Sequence, residues 1–119
     1  MRYQLEIPGC EPPSLNAWLG RHWRRRWEDK NAMEHWVAVF AATSDLPRPI
    51  VERVDIWVTA YNAPRLRDPD NLPVKAFIDG LRYAGVLAKD DATAVRWTGS
   101  RLVKDDCDAR VIIEIEEIE

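Results

Sequence analysis

The chain has 119 residues, 46% hydrophobic and 31% charged, with a formal net charge of −3; that is one domain with room for one real core, and it excludes a disordered or low-complexity chain. The net charge argues against a protein that coats nucleic acid indiscriminately, although RHWRRRW (21–27) is strongly basic and the closing IIEIEEIE is acidic. No run resembles an export signal or approaches the ~20 apolar residues that span a bilayer, so a cytoplasmic protein without a membrane partner is expected.

Residues 2–7, RYQLEI, alternate with Tyr3, Leu5 and Ile7 on one face, which predicts a strand. The prolines of PGCEPPSLN predict a loop. From about Trp27 to Thr43, Met33, Trp36, Val37, Phe40 and Ala41 follow helical spacing, and SDLPRP ends that helix. ERVDIWVTAY, 52–61, predicts a strand with Val54, Ile56, Val58 and Ala60 on one face, followed by a loop over 62–69 that ends in DPD.

A second helix is expected from about Asn71 to Tyr83, with Val74, Phe77, Ile78 and Leu81 as its apolar stripe. Pro73 would sit in its first turn and Gly85 at its end. Residues 94–104 and 109–118 complete the pattern as strands, with Asp105, Asp106 and Asp108 between them. The order β-α-β-α-β-β over 1–119 predicts a single α+β domain of two layers, a mixed sheet with helices on one face. Cys10 and Cys107, far apart and outside any CxxC pattern, read as reduced thiols, with a disulfide left open. His22 and His35 without a cysteine pair do not suggest structural zinc.

The chemistry concentrates in RLRDPDNLPVKAFIDGLRYAGVLAKDD, 65–91. In an extended DPD segment the side chains of Asp68 and Asp70 project the same way, and Pro69 restricts their spread. Asp90 and Asp91 follow the helix and reach Asp70 only if VLAKDD folds back along it. Converging carboxylates are hard oxygen ligands suited to Mg²⁺ or Mn²⁺, and such an ion on a phosphodiester lowers the pKa of a bound water. Lys75 could then neutralise a phosphate oxygen. The plainer reading treats the acids as helix caps and solvated turns, with Lys75–Asp79 a surface pair at i,i+4.

The basic segment also reads two ways. Trp23 and Trp27 could dip into the core from a solvated loop. Alternatively Arg21, Arg24, Arg25, Arg26 and Lys30 bind phosphates while Trp23 stacks on a base or sugar.

DPDNLPVKAFIDGLRYAGVLAKDDATAV resembles the signature of the RusA-like Holliday junction resolvases: D-x-D-N, a lysine and D-x-L on a helix, a glycine, then D-D. PPSLN, 12–16, is similar to the family's PPS-x-N element. The resemblance implies a homodimeric, Mg²⁺-dependent endonuclease that nicks four-way DNA junctions on two opposed strands. It implies Asp68, Asp70 and Asp91 as metal ligands and catalytic residues, Asp90 as the first acid of the pair, Lys75 as the motif lysine and Asn71 as the motif asparagine beside the DNA. LPV between Asn71 and Lys75 is one residue longer than in that pattern, which turns Lys75 by about 100° around a regular helix unless Pro73 delays the helix start.

The function expected is metal-dependent, structure-selective hydrolysis at four-way junctions in DNA recombination and repair. The alternative is a non-catalytic junction-binding protein on the same fold. A hydrolase of another phosphate substrate would not need the arginines, and a purely structural protein would show no metal effect. Trp57 and Trp97 are candidate dimer contacts.

Overall fold

A computed structural model describes residues 1–20, 22–64 and 66–118. The elements are β1 (Arg2–Pro8), α1 (Leu15–Leu19), α2 (Trp23–Ala42), β2 (Val54–Tyr61), a 3-10 turn (Pro69–Asn71), α3 (Val74–Tyr83), β3 (Val95–Val103) and β4 (Arg110–Glu117). They form an α+β domain around one mixed sheet of order β1-β4-β2-β3. β4 is antiparallel to both β1 and β2, while β2 and β3 are parallel. A parallel pair needs a crossover connection, and α3 supplies it.

The period of two along each strand decides which side chains are buried. Leu5 and Ile7, Val54 through Ala60 at alternate positions, and Val111, Ile113 and Ile115 point to one face. There they meet Met33, Val37 and Ala41 of α2 and Ala76, Phe77, Ile78 and Leu81 of α3. Burying a side chain the size of Phe77 removes about 1.5–3 kcal/mol of unfavourable hydration. Gly80 lets the two helices approach closely, since a Cβ there would lie 2.9 Å from Cβ of Val37.

Three boundaries differ from the sequence expectation. The proline-rich segment contains a short helix, α1, begun by Ser14, whose hydroxyl accepts from the Ala17 amide at 3.2 Å. α2 begins at Trp23 rather than Trp27, because His22 caps it: Nδ1 accepts from the Arg24 amide at 3.3 Å. α3 begins at Val74 rather than Asn71. A residue before proline is pushed out of the helical region, and Leu72 before Pro73 is extended at φ −74°, ψ 126°. Asn71 therefore lies in the preceding 3-10 turn. α3 ends where expected, with Gly85 left-handed at φ +82° just past it.

Both cysteines are free; Cys10 is buried, which pushes its thiol up to about 12, and Cys107 is exposed. Among the described residues no helix is long and apolar enough to cross a membrane.

Candidate active site

The chain reaches the site through the loop after β2. Asp68 is extended, at φ −117° and ψ 135°. Its carbonyl accepts from the Asn71 amide at 3.0 Å, and that of Pro69 accepts from the Leu72 amide at 3.1 Å, so Asp68 to Leu72 form one tight turn. Leu72 is buried and pins this turn to the core. On the other side Ser100 of β3 donates its hydroxyl to the Pro69 carbonyl at 2.7 Å. Asp70 thus opens into a recess of about 320 Å³, shared with Trp18, Lys75, Thr98 and Ser100. Among the described residues, neither the Asp68 nor the Asp70 carboxylate has an ion-pair or hydrogen-bond partner.

Lys75, in the first turn of α3, borders both this recess and a second one of about 480 Å³ between α2 and α3. The second holds an alternating chain of charges. Glu34 meets Lys30 at 3.6 Å, and Lys30 meets Asp79 at 3.9 Å. Asp79 meets Lys75 at 3.2 Å, Lys75 meets Asp90 at 3.8 Å, and Asp90 meets Arg82 at 3.9 Å. The delayed helix start places Lys75 between Asp70 and this chain. Its side chain is 79% exposed, and exposed pairs are worth about 0–1 kcal/mol, so exchanging them for a phosphate is inexpensive.

Asp90 and Asp91 are adjacent but do different things. Asp90 lies against α3, so VLAKDD does fold back along the helix. Asp91 turns the chain into β3: its carbonyl accepts from the Ala94 and Val95 amides, and Oδ1 accepts from the Thr93 hydroxyl and, at 2.9 Å, the Thr93 amide. The Thr93 hydroxyl, then its amide, hold the Asp91 carboxyl below the usual range. Asp91 is tied to β3 at Val95 and the Asp68–Asp70 turn at Ser100, five strand residues or roughly 16 Å apart. Among the described residues no three His, Cys, Asp or Glu side chains are grouped to hold a metal ion. The structure brings Asp68 and Asp70 together on one turn, brings Asp90 to Lys75, and holds Asp91 on a separate turn.

The donor set of that turn fits Mg²⁺ or Mn²⁺ chemically. Mg²⁺ keeps most of its waters and is commonly held by one or two carboxylates plus substrate phosphates. Two exposed carboxylates without partners among the described residues, one of them lining an open recess, meet that requirement.

From Trp23 onward the basic segment is helical, not a loop. Trp23 and Trp27 lie one turn apart and are 60% and 63% exposed, so neither dips into the core. The Arg24 guanidinium sits 5.3 Å over the Trp23 ring. Arg25 pairs with Asp29 at 3.8 Å. The Arg26 carbonyl accepts from Trp18 Nε1 at 3.2 Å, which docks α1 on α2. Lys30 continues this ridge and joins it, through Asp79, to Lys75. Asn71 is half-buried in the turn between the acids and α3. Arg21 lies outside the described residues.

Sequence reading missed Trp18, Ser100 and the links between helices through Lys30–Asp79. The i,i+4 spacings of Lys30–Glu34 and Lys75–Asp79 were legible; that Asp79 would share both lysines was not, since it depends on how closely α2 and α3 pack. No family model matches the chain, and no curated protein matches it.

Proposed function

We propose that the chain is a Mg²⁺-dependent, structure-selective endodeoxyribonuclease of the cytoplasm that acts as a homodimer and resolves four-way DNA junctions by paired phosphodiester hydrolysis. One observation carries the reading: among the described residues the Asp68 and Asp70 carboxylates have no partner, and Asp70 lines a recess that Lys75 borders, while Asp79 and Asp90, in the recess on the other side of Lys75, are matched with cations. An acidic pair without a partner among the described residues, on the turn before an exposed lysine, suits a cation and a phosphate together.

Asp68 and Asp70 would hold the divalent ion, which when bound supplies Lewis acidity and a water of lowered pKa. Lys75 neutralises charge developing on the non-bridging phosphoryl oxygens. The attacking water forms the new P–O bond, and the bond to the leaving sugar oxygen breaks. Arg24, Arg25, Arg26 and Lys30 hold duplex arms by their phosphates, and Trp23 offers a stacking surface. The resemblance adds Asp91, with Asp90 beside it, to the ligand set; that requires the turn at Thr93 to approach Asp70 when substrate binds. A four-way junction has approximate two-fold symmetry, which two equivalent sites on a two-fold dimer match.

The test is cleavage of synthetic four-way junctions beside a linear duplex of the same arms, with Mg²⁺ or with EDTA. Paired nicks near the crossover, requiring both metal and junction, are expected. Asp70→Asn should abolish cutting and spare junction binding; retained cleavage would remove Asp70 from the mechanism. A junction bound but uncut with Mg²⁺ and Mn²⁺ would favour the second reading, a non-catalytic junction binder. The observation favouring that reading is the commitment of Lys75 to Asp79 and Asp90.

A further inference from the structure

The recess that Asp70 lines has a composition of its own. At about 320 Å³ it sits at the small end of ligand sites, which run from roughly 300 to 1,000 Å³. That suits one planar ring system and excludes a duplex or a folded peptide. Among the described residues lining it, only Asp70 and Lys75 are charged. A phosphate meets both at the rim, and the interior offers no further cation for a second one.

The wall on β3 is polar. Thr98 and Ser100 pair with Ile56 and Val58 of β2 and so share the helix-side face of the sheet. On β2 that face is fully buried, whereas Thr98 is exposed. Its hydroxyl makes no hydrogen bond among the described residues. Ser100 gives its proton to the Pro69 carbonyl and keeps acceptor lone pairs.

The other walls are apolar: Leu15 and Trp18 of α1, Leu72 of the turn and Val74 of α3. The Trp18 indole is fixed in place, because Nε1 donates to the Arg26 carbonyl at 3.2 Å. Its N–H is thereby spent on α2, and the ring is left as an aromatic wall. A ring held in advance loses little freedom when a ligand stacks on it. An uncharged aromatic ligand with a hydrogen-bonding edge, attached to a phosphodiester, is a nucleobase.

We propose that this recess seats one unstacked nucleobase of the strand whose phosphodiester meets Asp70 and Lys75, with Trp18 stacking on the ring and Thr98 hydrogen-bonding its edge. The inference rests on the reading that Asp70 and Lys75 face DNA. It gives structure selectivity a local cause. A base inside an intact duplex costs about as much to extract as one aromatic contact returns. A base at a branch point has already lost part of its stacking and enters at smaller cost.

Anisotropy titration of a labelled four-way junction with the whole chain, in EDTA so that no strand is cut, tests this. An abasic residue is placed in turn at each nucleotide around the crossover. At least one position there should lose about tenfold in affinity, which is about 1.4 kcal/mol, and positions within the arms should lose nothing. Trp18→Ala should weaken binding of the intact junction by a similar factor. So should Thr98→Leu, which fills the recess from an exposed position. Both should be indifferent to the abasic residue, with circular dichroism confirming that each is folded. No loss at any position, or a loss undiminished in either variant, overturns the proposal. Cutting in Mg²⁺ without an abasic effect would refute the base site and leave the nuclease reading standing. An abasic effect abolished by Thr98→Leu, with no cutting in Mg²⁺ or Mn²⁺, would keep the base site on a non-catalytic binder.

Discussion

Gly80→Ala sets local propensity against tertiary packing. Alanine is the better helix former by about 1 kcal/mol, so sequence rules alone expect stabilisation. The fold expects the opposite. A Cβ at position 80 would lie 2.9 Å from both Cβ and Cγ2 of Val37 and 3.3 Å from Cα of Glu34. None of these atoms is the end of a flexible side chain: Val37 is β-branched and fully buried, with one strongly preferred rotamer in a helix. α2 must therefore retreat from α3 by several tenths of an ångström. Overpacking of this kind costs about 1–3 kcal/mol. Net of the propensity gain, a loss of about 1 kcal/mol is expected. With a urea m-value of about 1–2 kcal/mol/M, the unfolding midpoint should fall by about 0.5–1 M. A midpoint that rises would refute the close approach. The same retreat would stretch Lys30–Asp79, now 3.9 Å, so the variant also probes the link between the basic ridge and Lys75.

Thr59 is 1% exposed and its hydroxyl has no hydrogen-bond partner among the described residues; Thr59→Val, which keeps the shape, should stabilise by about 1 kcal/mol and raise Tm by a few degrees, and a lower Tm would show that the hydroxyl is satisfied. The Arg110 guanidinium first, then the Asn62 amide and the Cys107 N–H, hold the Asp105 carboxyl well below the usual carboxylate range. A depressed folded pKa gives stability that is complete above the unfolded value near ~3.9 and is lost as pH falls below it. The drop in Tm from about pH 5 to about pH 2.5 should therefore be smaller in Asp105→Asn, and equal drops would exclude the linkage. Replacing Arg24, Arg25 and Arg26 together by alanine should flatten the salt dependence of junction binding by up to about three in log–log slope, since each phosphate contact contributes about 0.9; an unchanged slope would place the DNA elsewhere.

The sequence by itself determined the layer plan and the chemistry available to the site. Alternation in RYQLEI and VDIWVTAY set strand faces, and the spacing of Val74, Phe77, Ile78 and Leu81 set the buried stripe of α3, because these periods are local consequences of backbone geometry. Asp68 and Asp70 share a turn because they are two residues apart. What depends on long-range contact was not legible. A delayed start of α3 at Pro73 was the alternative that the spacing left open, whereas His22 capping α2 is a local single-residue decision that shifts an end against a periodic pattern. Tertiary structure alone decided that Asp90 lies on α3 while Asp91 belongs to the start of β3, since adjacent residues were pulled to different partners, Lys75 and Thr93. It also decided that Trp57 and Trp97, forty residues apart, meet on the open face, because only the parallel register of β2 and β3 makes them neighbours.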